Sequence, residues 1–187
     1  DTFERVFGHP IKVVGASRTD AGVHALGQVA RFYTSRTMRP ERLLKSWNSV
    51  LPGDIHIRSL EPLVEVFHPQ HNVAQKTYYY HFFKRRALPH HTRYGYYFPH
   101  RFDEEKLRAC LNCFVGTHDF VSFCAHPERQ RSTLCTLDTV SLEYVRRYNM
   151  YRVTIRGNRF LHNMIRRMVG SALKVASSDA FTPADIQ

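Results

Sequence analysis

The chain has 187 residues, of which 43% are hydrophobic and 23% charged, a balance typical of a folded globular protein rather than a disordered one. Lys and Arg number 27 against 16 Asp and Glu, and the resulting net charge of +11, with 13% aromatic residues, favours RNA over a membrane surface as partner. The apolar runs fall well short of the roughly 18 residues that a membrane span needs, so we expect no segment here to cross a bilayer.

In the first third of the chain, polar turn residues separate short apolar patterns. Residues 2–7 resemble the end of a helix that is closed by Gly8. The elements that follow are predicted, in chain order, as strands at 11–17 and 28–34, a helix at 39–50 and a strand at 54–60.

The remaining elements are longer and more regular. Residues 76–83 predict a strand in which Tyr78 and Tyr80 share one face. Asp103 predicts the N-cap of a helix that continues to Phe114. The last elements are predicted as a hairpin of strands at 134–145 and 150–157 and a helix at 160–176.

The last predicted helix has two distinct stripes. Its apolar stripe is wide enough to form a core face. His162, Arg166 and Gly170 are spaced by four and therefore point together in a direction away from that core. Arg167, beside them, is predicted to be a solvated cation.

These elements predict an α+β fold with a mainly antiparallel sheet and flanking helices. We expect two lobes, residues 1–62 and 63–187, that meet at a central cleft. The chain begins within a predicted helix and ends just after the helix start at Thr182-Pro183, so it looks truncated at both ends and both lobes are expected to be incomplete.

The polar bend between the first two predicted strands carries the most specific chemical signal. Arg18 and Asp20 lie two residues apart, and Ala21 and Gly22 leave room for a ligand to approach the backbone. The alternative is a surface ion pair in an Asx-turn. No phosphate-binding glycine loop, dinucleotide fingerprint or zinc-protease motif is visible, and we expect no cofactor.

A second candidate lies in the strand at 76–83, where Lys76 is followed by three tyrosines. Basic and aromatic residues interleaved in this way suit stacking on a base beside a phosphate. The alternative is a strand that packs Tyr78 into the core. The runs Lys84–Arg86 and Arg146–Arg147 are expected to contribute diffuse surface charge that attracts RNA.

The four cysteines fit a reduced, cytoplasmic protein. Cys110 and Cys113 resemble half of a zinc knuckle, with His118 and His126 downstream. The second half lacks ligand spacing, and Cys110 falls on the apolar face of its helix, so we expect no metal.

Four blocks of the sequence together resemble the TruA family of tRNA pseudouridine synthases. The first, "GASRTDAGVHALGQVARF", resembles the family signature RTDAGVHA. The others are "FHPQHNVAQKTYYYHFF", similar to a segment ending in K/R-x-Y-x-Y, "GTHDFVSF", similar to G-x-x-D-F-x-x-F, and "GNRFLHNMIRRMVGSALKVA", similar to F-x-x-x-M-V-R-x-x-V-G. The four blocks occur in the family's order and spacing and cover nearly the whole chain.

The resemblance implies a role for each matched residue. Asp20 would be the catalytic carboxylate, and Arg18 would enter the RNA stack and hold the target uridine out. Tyr78 would pack against the flipped base, and Arg166 would pair with Asp20. Two blocks with which the family begins, Y-D-G-T and G-W-Q, are absent, and so is the final part that helps to close its active site.

The implied activity is an isomerisation of uridine in the anticodon stem-loop of tRNA, at positions 38, 39 and 40. The N1–C1′ bond breaks and a C5–C1′ bond forms after the base has left the stack. Whether Asp20 attacks C1′, adds to the ring or removes the 2′ proton is left open. The resemblance also implies a homodimer. The alternatives are an inactive RNA-binding module, a pseudouridine synthase acting on another RNA, and a metal-dependent RNA enzyme.

Overall fold

The computed structural model describes residues 2–17, 19–63, 67–69 and 71–186. The described helices are α1 (Thr2–Phe7), α2 (Pro40–Asn48), α3 (Glu104–Asn112) and α4 (Met164–Ala176). The strands are β1 (Val14–Gly15), β2 (Ala30–Arg31), β3 (Lys76–Phe83), β4 (Tyr96–Tyr97), β5 (Gly116–Asp119), β6 (Leu134–Val145) and β7 (Met150–Gly157). Short 3₁₀ turns connect several of them. The chain divides into two compact units, Asp1–Val73 and Ala74–Gln187.

The first unit is built on an aromatic core between α1 and α2. Phe3 is fully buried, and its ring lies 4.9 Å from the ring of Trp47 in an edge-to-face arrangement. Phe32, just after β2, contacts the same indole at 5.2 Å. This core therefore fixes the end of β2 against the two helices. Gly8, with φ of 77°, closes α1 as predicted.

The predicted strand at 54–60 is wrong, because the structure has no strand there. The side-chain amide of Asn48 donates to the carbonyl of Ile57 and accepts from its backbone N–H, each at 2.9 Å. One side chain from the end of α2 thus satisfies the backbone groups that a neighbouring strand would otherwise pair.

The second unit contains a five-stranded sheet in the order β4-β3-β7-β6-β5. The pairs β3–β7, β7–β6 and β6–β5 are antiparallel, and only the two-residue β4 runs parallel to its neighbour β3. The hairpin of β6 and β7 turns through Arg146–Tyr148 and Asn149, which adopts the left-handed conformation at φ of 50°. The mainly antiparallel α+β prediction is confirmed.

Helices α3 and α4 pack on each other and contribute the largest part of the second core. The side chain of Asp103 accepts a hydrogen bond of 3.0 Å from the backbone N–H of Lys106, which confirms the predicted cap. The residues of α3 and α4 that are less than 3% exposed are Leu107, Cys110, Leu111, Met164, Met168, Val169, Ala172 and Leu173. The predicted apolar stripes are therefore the core faces.

Helix α4 begins four residues later than predicted, at Met164 rather than Phe160. Asn163 precedes it in the left-handed conformation, at φ of 60°. Phe160 and Leu161 therefore approach the helix in non-helical chain, and the side chain of Phe160 is free to lie against the sheet. The predicted lobe boundary at residues 62–63 stays a prediction, and residues 64–66 lie outside the described residues. Among the described helices, none has the length and apolar character to cross a membrane.

Candidate active site

The loop that carries Asp20 is closed at its base by the pairing of β1 and β2. Val14 pairs with Arg31 and Gly15 with Ala30 in antiparallel register. Beyond these strands the backbone N–H of Ala16 donates to the carbonyl of Val29 at 2.8 Å. These hydrogen bonds fix both ends of the loop between residues 16 and 29.

Asp20 lies in an exposed turn of this loop. Its carbonyl accepts a hydrogen bond of 3.1 Å from the N–H of Val23, and Gly22 has φ of 80°, as the third residue of a type II turn requires. No described residue forms an ion pair with the Asp20 carboxylate. Arg18 lies outside the described residues, so the expected association of the two side chains stays a prediction.

In the second unit, alternate residues of β3 present a row of polar and aromatic side chains. Lys76, Tyr78 and Tyr80 share the face that also holds buried Phe82. Tyr78 pairs across the ladder with Ile155, which is fully buried, and its ring lies 4.9 Å from that of Phe160, edge to face. Tyr78 is thus partly packed and partly open to a ligand.

Two cations, Arg159 from the chain before α4 and Arg166 from the first turn of α4, lie beside this row. Burial raises the pKa of Tyr80, and so does Tyr96, while the nearby guanidinium of Arg166 acts in the opposite direction. Burial lowers the pKa of Lys76, and the charge of Arg159 lowers it further. Helix α4 packs on β3, so Arg166 is close enough to Tyr80, as Arg159 is to Lys76, for their charges to act on these groups, although about 80 residues separate each pair in sequence.

Together Lys76, Tyr78, Tyr80, Arg159, Phe160 and Arg166 form what we call the Tyr78 group. Its aromatic surfaces suit a planar base, and its cations suit the phosphates beside that base. The group itself contains no carboxylate. Its composition therefore suits nucleotide binding, and it offers no carboxylate for nucleophilic or acid–base chemistry.

A loop from residues 120 to 126 supports the start of α4. The guanidinium of Arg167 donates to the carbonyl of Cys124 at 2.8 Å, and the N–H of Ala125 donates to the carbonyl of His162 at 3.0 Å. The rings of His126 and His162 stack with their centroids 5.2 Å apart. Arg167 is exposed, as predicted, but the hydrogen bond from its guanidinium also links this loop to α4, the helix that carries Arg166.

The segment Gly116–Phe123 has a structural part in the same region. Asp119 accepts a hydrogen bond of 3.1 Å from the N–H of Val121 and so forms the turn after β5. Phe120 is 2% exposed, and the ring of Phe123 contacts that of Phe114 at 5.1 Å. These residues anchor the 120–126 loop in the core.

A comparison with known protein families covers the loop of Asp20 and the segment of Arg159, Phe160 and Arg166, whereas β3 lies outside the matched ranges. A sequence model described as tRNA pseudouridine synthase matches residues 1–71 and 111–187. The chain belongs to the tRNA pseudouridine synthase family. Members of this family are isomerases, which is the enzyme class that the sequence motifs predict.

Proteins named tRNA pseudouridine synthase A are similar to almost the whole chain. That of Bacillus pumilus is 36% identical over 178 residues, which are 95% of this chain and 71% of the relative. That of Exiguobacterium sibiricum is 35% identical over 186 residues, 100% of this chain and 73% of the relative. That of Thermodesulfovibrio yellowstonii is 34% identical over 185 residues, 94% of this chain and 72% of the relative.

The residues predicted to act in this tRNA pseudouridine synthase fold fall in both units. Asp20 belongs to the first unit, whereas Tyr78 and Arg166 belong to the second, on the face of β3 and on α4. Within the second unit, the structure brings Arg166 to the row of tyrosines that contains Tyr78. The pairing of Arg166 with Asp20 stays a prediction.

Sequence reasoning missed Arg159 and Phe160 as members of the Tyr78 group. Phe160 is the first residue of the block similar to F-x-x-x-M-V-R, so a signal was present. The periodicity instead predicts that Phe160 belongs to the helix, where its side chain would follow the helical stripes. The left-handed Asn163 is what separates Phe160 from α4 and lets its ring reach Tyr78.

The cysteines do not form a ligand cluster with the histidines considered for a metal. Cys110 is fully buried in the core, and burial raises the pKa of its thiol. The thiol of Cys113 donates to the carbonyl of Ala109 at 3.3 Å. Over the described residues, no three His, Cys, Asp or Glu side chains are arranged to hold a metal ion.

Proposed function

We propose that this protein converts uridine to pseudouridine at positions 38 to 40 in the anticodon stem-loop of tRNA, with Asp20 as the nucleophile. The observation that carries the proposal is the Asp20 carboxylate, exposed in a glycine turn of a loop closed by β1 and β2 and without an ion-pair partner among the described residues. The family supports tRNA as the substrate.

The Tyr78 group supplies the parts of the reaction that a carboxylate cannot. Tyr78 packs against the flipped uracil, with Phe160 limiting the movement of its ring. Arg166 pairs with the carboxylate of Asp20 through its planar guanidinium, and Arg18 takes the place of the uridine in the RNA stack. The uracil then turns so that C5 replaces N1 on C1′, and the C5 hydrogen is lost while N1 gains a proton.

Asp20→Asn tests the nucleophile because it retains the shape of the side chain and removes its nucleophilic charge. In the intact protein, release of tritium from [5-³H]uridine in tRNA should be abolished, while tRNA binding survives. Asp54→Asn makes the same chemical change at another exposed residue and should leave tritium release and tRNA binding unchanged. Appreciable turnover by Asp20→Asn would remove Asp20 from the chemistry and favour an inactive role for this loop.

Arg18 and Arg166 are expected to act in different steps. Arg166→Lys keeps the charge but loses the planar fork, so single-turnover rates should fall with little change in tRNA affinity. Replacing Arg18 should impair flipping, so a tRNA whose target uridine is already unpaired should partly rescue that variant. Equal rescue of both variants, or of neither, would contradict this division.

RNA binding, a homodimer and a cytoplasmic location complete the proposal. The net charge of +11 supports binding to the phosphate backbone, and tRNA affinity should therefore fall steeply as salt rises. The four cysteines are free thiols, which supports a reducing compartment. Sedimentation of the intact protein tests the dimer, and mapping pseudouridine in RNA from cells that lack the protein tests whether tRNA or another RNA is modified.

A further inference from the structure

Two basic runs that are 60 residues apart in sequence meet at one end of the five-stranded sheet. Strand β3 ends at Phe83 and β7 begins at Met150, and Phe82 pairs with Tyr151 across the ladder. Lys84–Arg86 therefore leaves the sheet beside the turn Arg146–Tyr148. Farther along the first segment, the ring centroid of His91 lies 5.7 Å from that of Tyr148, so the chain after Arg86 contacts this turn.

This end of the sheet carries unbalanced positive charge. From residue 84 to residue 102 the sequence contains no Asp or Glu. The guanidinium groups of the exposed residues Arg85, Arg86, Arg93, Arg146 and Arg147 make no ion pair with any residue that the structure describes. Elsewhere in the same unit, Arg108 and Arg152 are paired with glutamates at 2.7 and 2.9 Å. The surface made by residues 85–97 and 146–148 is named here the basic end.

The basic end is held in place by its own packing. The backbone at Gly95 lies directly on the ring of Phe83, since a Cβ there would be 2.6 Å from the ring. The N–H of Phe98 donates to the carbonyl of Phe83 at 2.9 Å. Phe83 is only 3% exposed, so the segment covers it. The backbone that carries these cations is therefore fixed by packing, and ligand binding does not have to order it.

Exposed tyrosines accompany these cations. Tyr97 is 44% exposed and Tyr148 is 40% exposed, and the guanidinium of Arg147 lies 5.5 Å from the centre of the Tyr148 ring. Phosphate-binding cations beside exposed aromatic rings are the combination with which proteins bind RNA backbone and unpaired bases.

We propose that the basic end is an RNA-docking surface that binds phosphates of the tRNA at a distance from the uridine being modified. About six residues of β3 separate it from Tyr78, or about 20 Å at 3.3 Å per residue. Of its two parts, residues 85–97 lie between the two ranges that match the family's sequence model, residues 1–71 and 111–187, and residues 146–148 lie within the second range. The identity of the RNA as tRNA rests on the proposed function, whereas the surface itself rests on this geometry and charge.

The test is a triple variant, Arg85→Gln, Arg93→Gln and Arg147→Gln, in the intact protein. Fluorescence anisotropy with labelled tRNA should show affinity about 10- to 100-fold weaker at ~0.1 M salt, and the slope of log Kd against log salt should fall by about 2 to 3. The single-turnover rate at saturating tRNA should stay within about twofold of wild type, since the Tyr78 group is untouched. The corresponding Lys variant should retain the salt slope.

A matched control removes the same charge from α2 and its N-cap residue, with Arg39→Gln, Arg42→Gln and Lys45→Gln. Equal losses of tRNA affinity in both triple variants would mean that the positive charge acts as a diffuse field, and would overturn the proposal of a localised surface. Wild-type affinity of the variant Arg85→Gln, Arg93→Gln and Arg147→Gln would overturn it as well. The first triple variant could instead lose binding to phosphatidylserine vesicles while its tRNA affinity is unchanged. That result would assign the basic end to a membrane and also overturn the proposal. Absence of pseudouridine formation by wild-type protein would count against the proposed function alone, because the binding measurements do not depend on turnover.

Discussion

Gly157 lies at a position in the second unit where even one methyl group has no room. It is the last residue of β7 and pairs with Lys76 on one side and with Leu137 on the other. A Cβ there would lie 2.5 Å from the carbonyl oxygen of Thr136 and 2.7 Å from a methyl of Leu137, whereas ordinary contacts begin at 3.4 Å. Leu137 is 1% exposed, so it cannot turn into solvent. The change Gly157→Ala therefore forces the sheet apart.

The expected cost follows from these contacts. Overpacking a filled site by a methyl costs about 1 to 3 kcal/mol, and a clash with backbone places Gly157→Ala near the upper value. The lower backbone entropy of the unfolded alanine chain returns about 0.5 to 1 kcal/mol. The net loss is about 2 kcal/mol, which should lower the Tm by about 4 to 8 °C for a chain of this size.

Gly170→Ala is the matched control. Gly170 is exposed in the middle of α4, and a Cβ there meets no atom within 4 Å. Alanine should therefore raise the free energy of unfolding by about 0.5 to 1 kcal/mol through its helix propensity. Thermal unfolding followed by circular dichroism measures both variants. If Gly157→Ala unfolds at the wild-type temperature, or if Gly170→Ala is the less stable of the two, the packing argument is wrong.

The remaining predictions concern a cap, a titrating tyrosine and a loop contact. Asp103→Ala should lower the free energy of unfolding by about 1 kcal/mol in urea titrations, because the N–H of Lys106 loses its acceptor, and Asp103→Asn should retain most of it. Burial and the hydrogen bond to Glu104 raise the pKa of Tyr151 to about 12, so its contribution to stability is complete below pH 10 and is lost as pH rises to about 12. Between pH 10 and about 12 the free energy of unfolding should therefore fall with pH, and Tyr151→Phe should reduce the slope of this fall by up to about 1.4 kcal/mol per pH unit. An unchanged slope would contradict the raised pKa of Tyr151. Arg167→Met should free the loop at residues 120–126, and hydrogen exchange at its amides should become about fivefold to tenfold faster, corresponding to about 1 kcal/mol, without a comparable change in β7.

The sequence by itself determined most of the local elements and the family to which the chain belongs. The apolar stripe of α4, the cap at Asp103, the β6–β7 hairpin and the alternation of Tyr78 and Tyr80 were all predictable, because each depends on the period of residues that are close in the chain. The resemblance that identified the family rests on contiguous blocks for the same reason.

Only the tertiary structure decided which distant residues meet. The neighbourhood of Tyr80 and Arg166, the ring of Phe160 against Tyr78, and the junction of the two basic runs join segments that are 60 or more residues apart, so no local period encodes them. A tertiary contact also explains the wrong prediction of a strand at 54–60. There the Asn48 side chain, rather than a neighbouring strand, forms the hydrogen bonds to the backbone of Ile57. Local propensity is worth only a few tenths of a kcal/mol per residue, and a tertiary contact that satisfies buried backbone groups outweighs it.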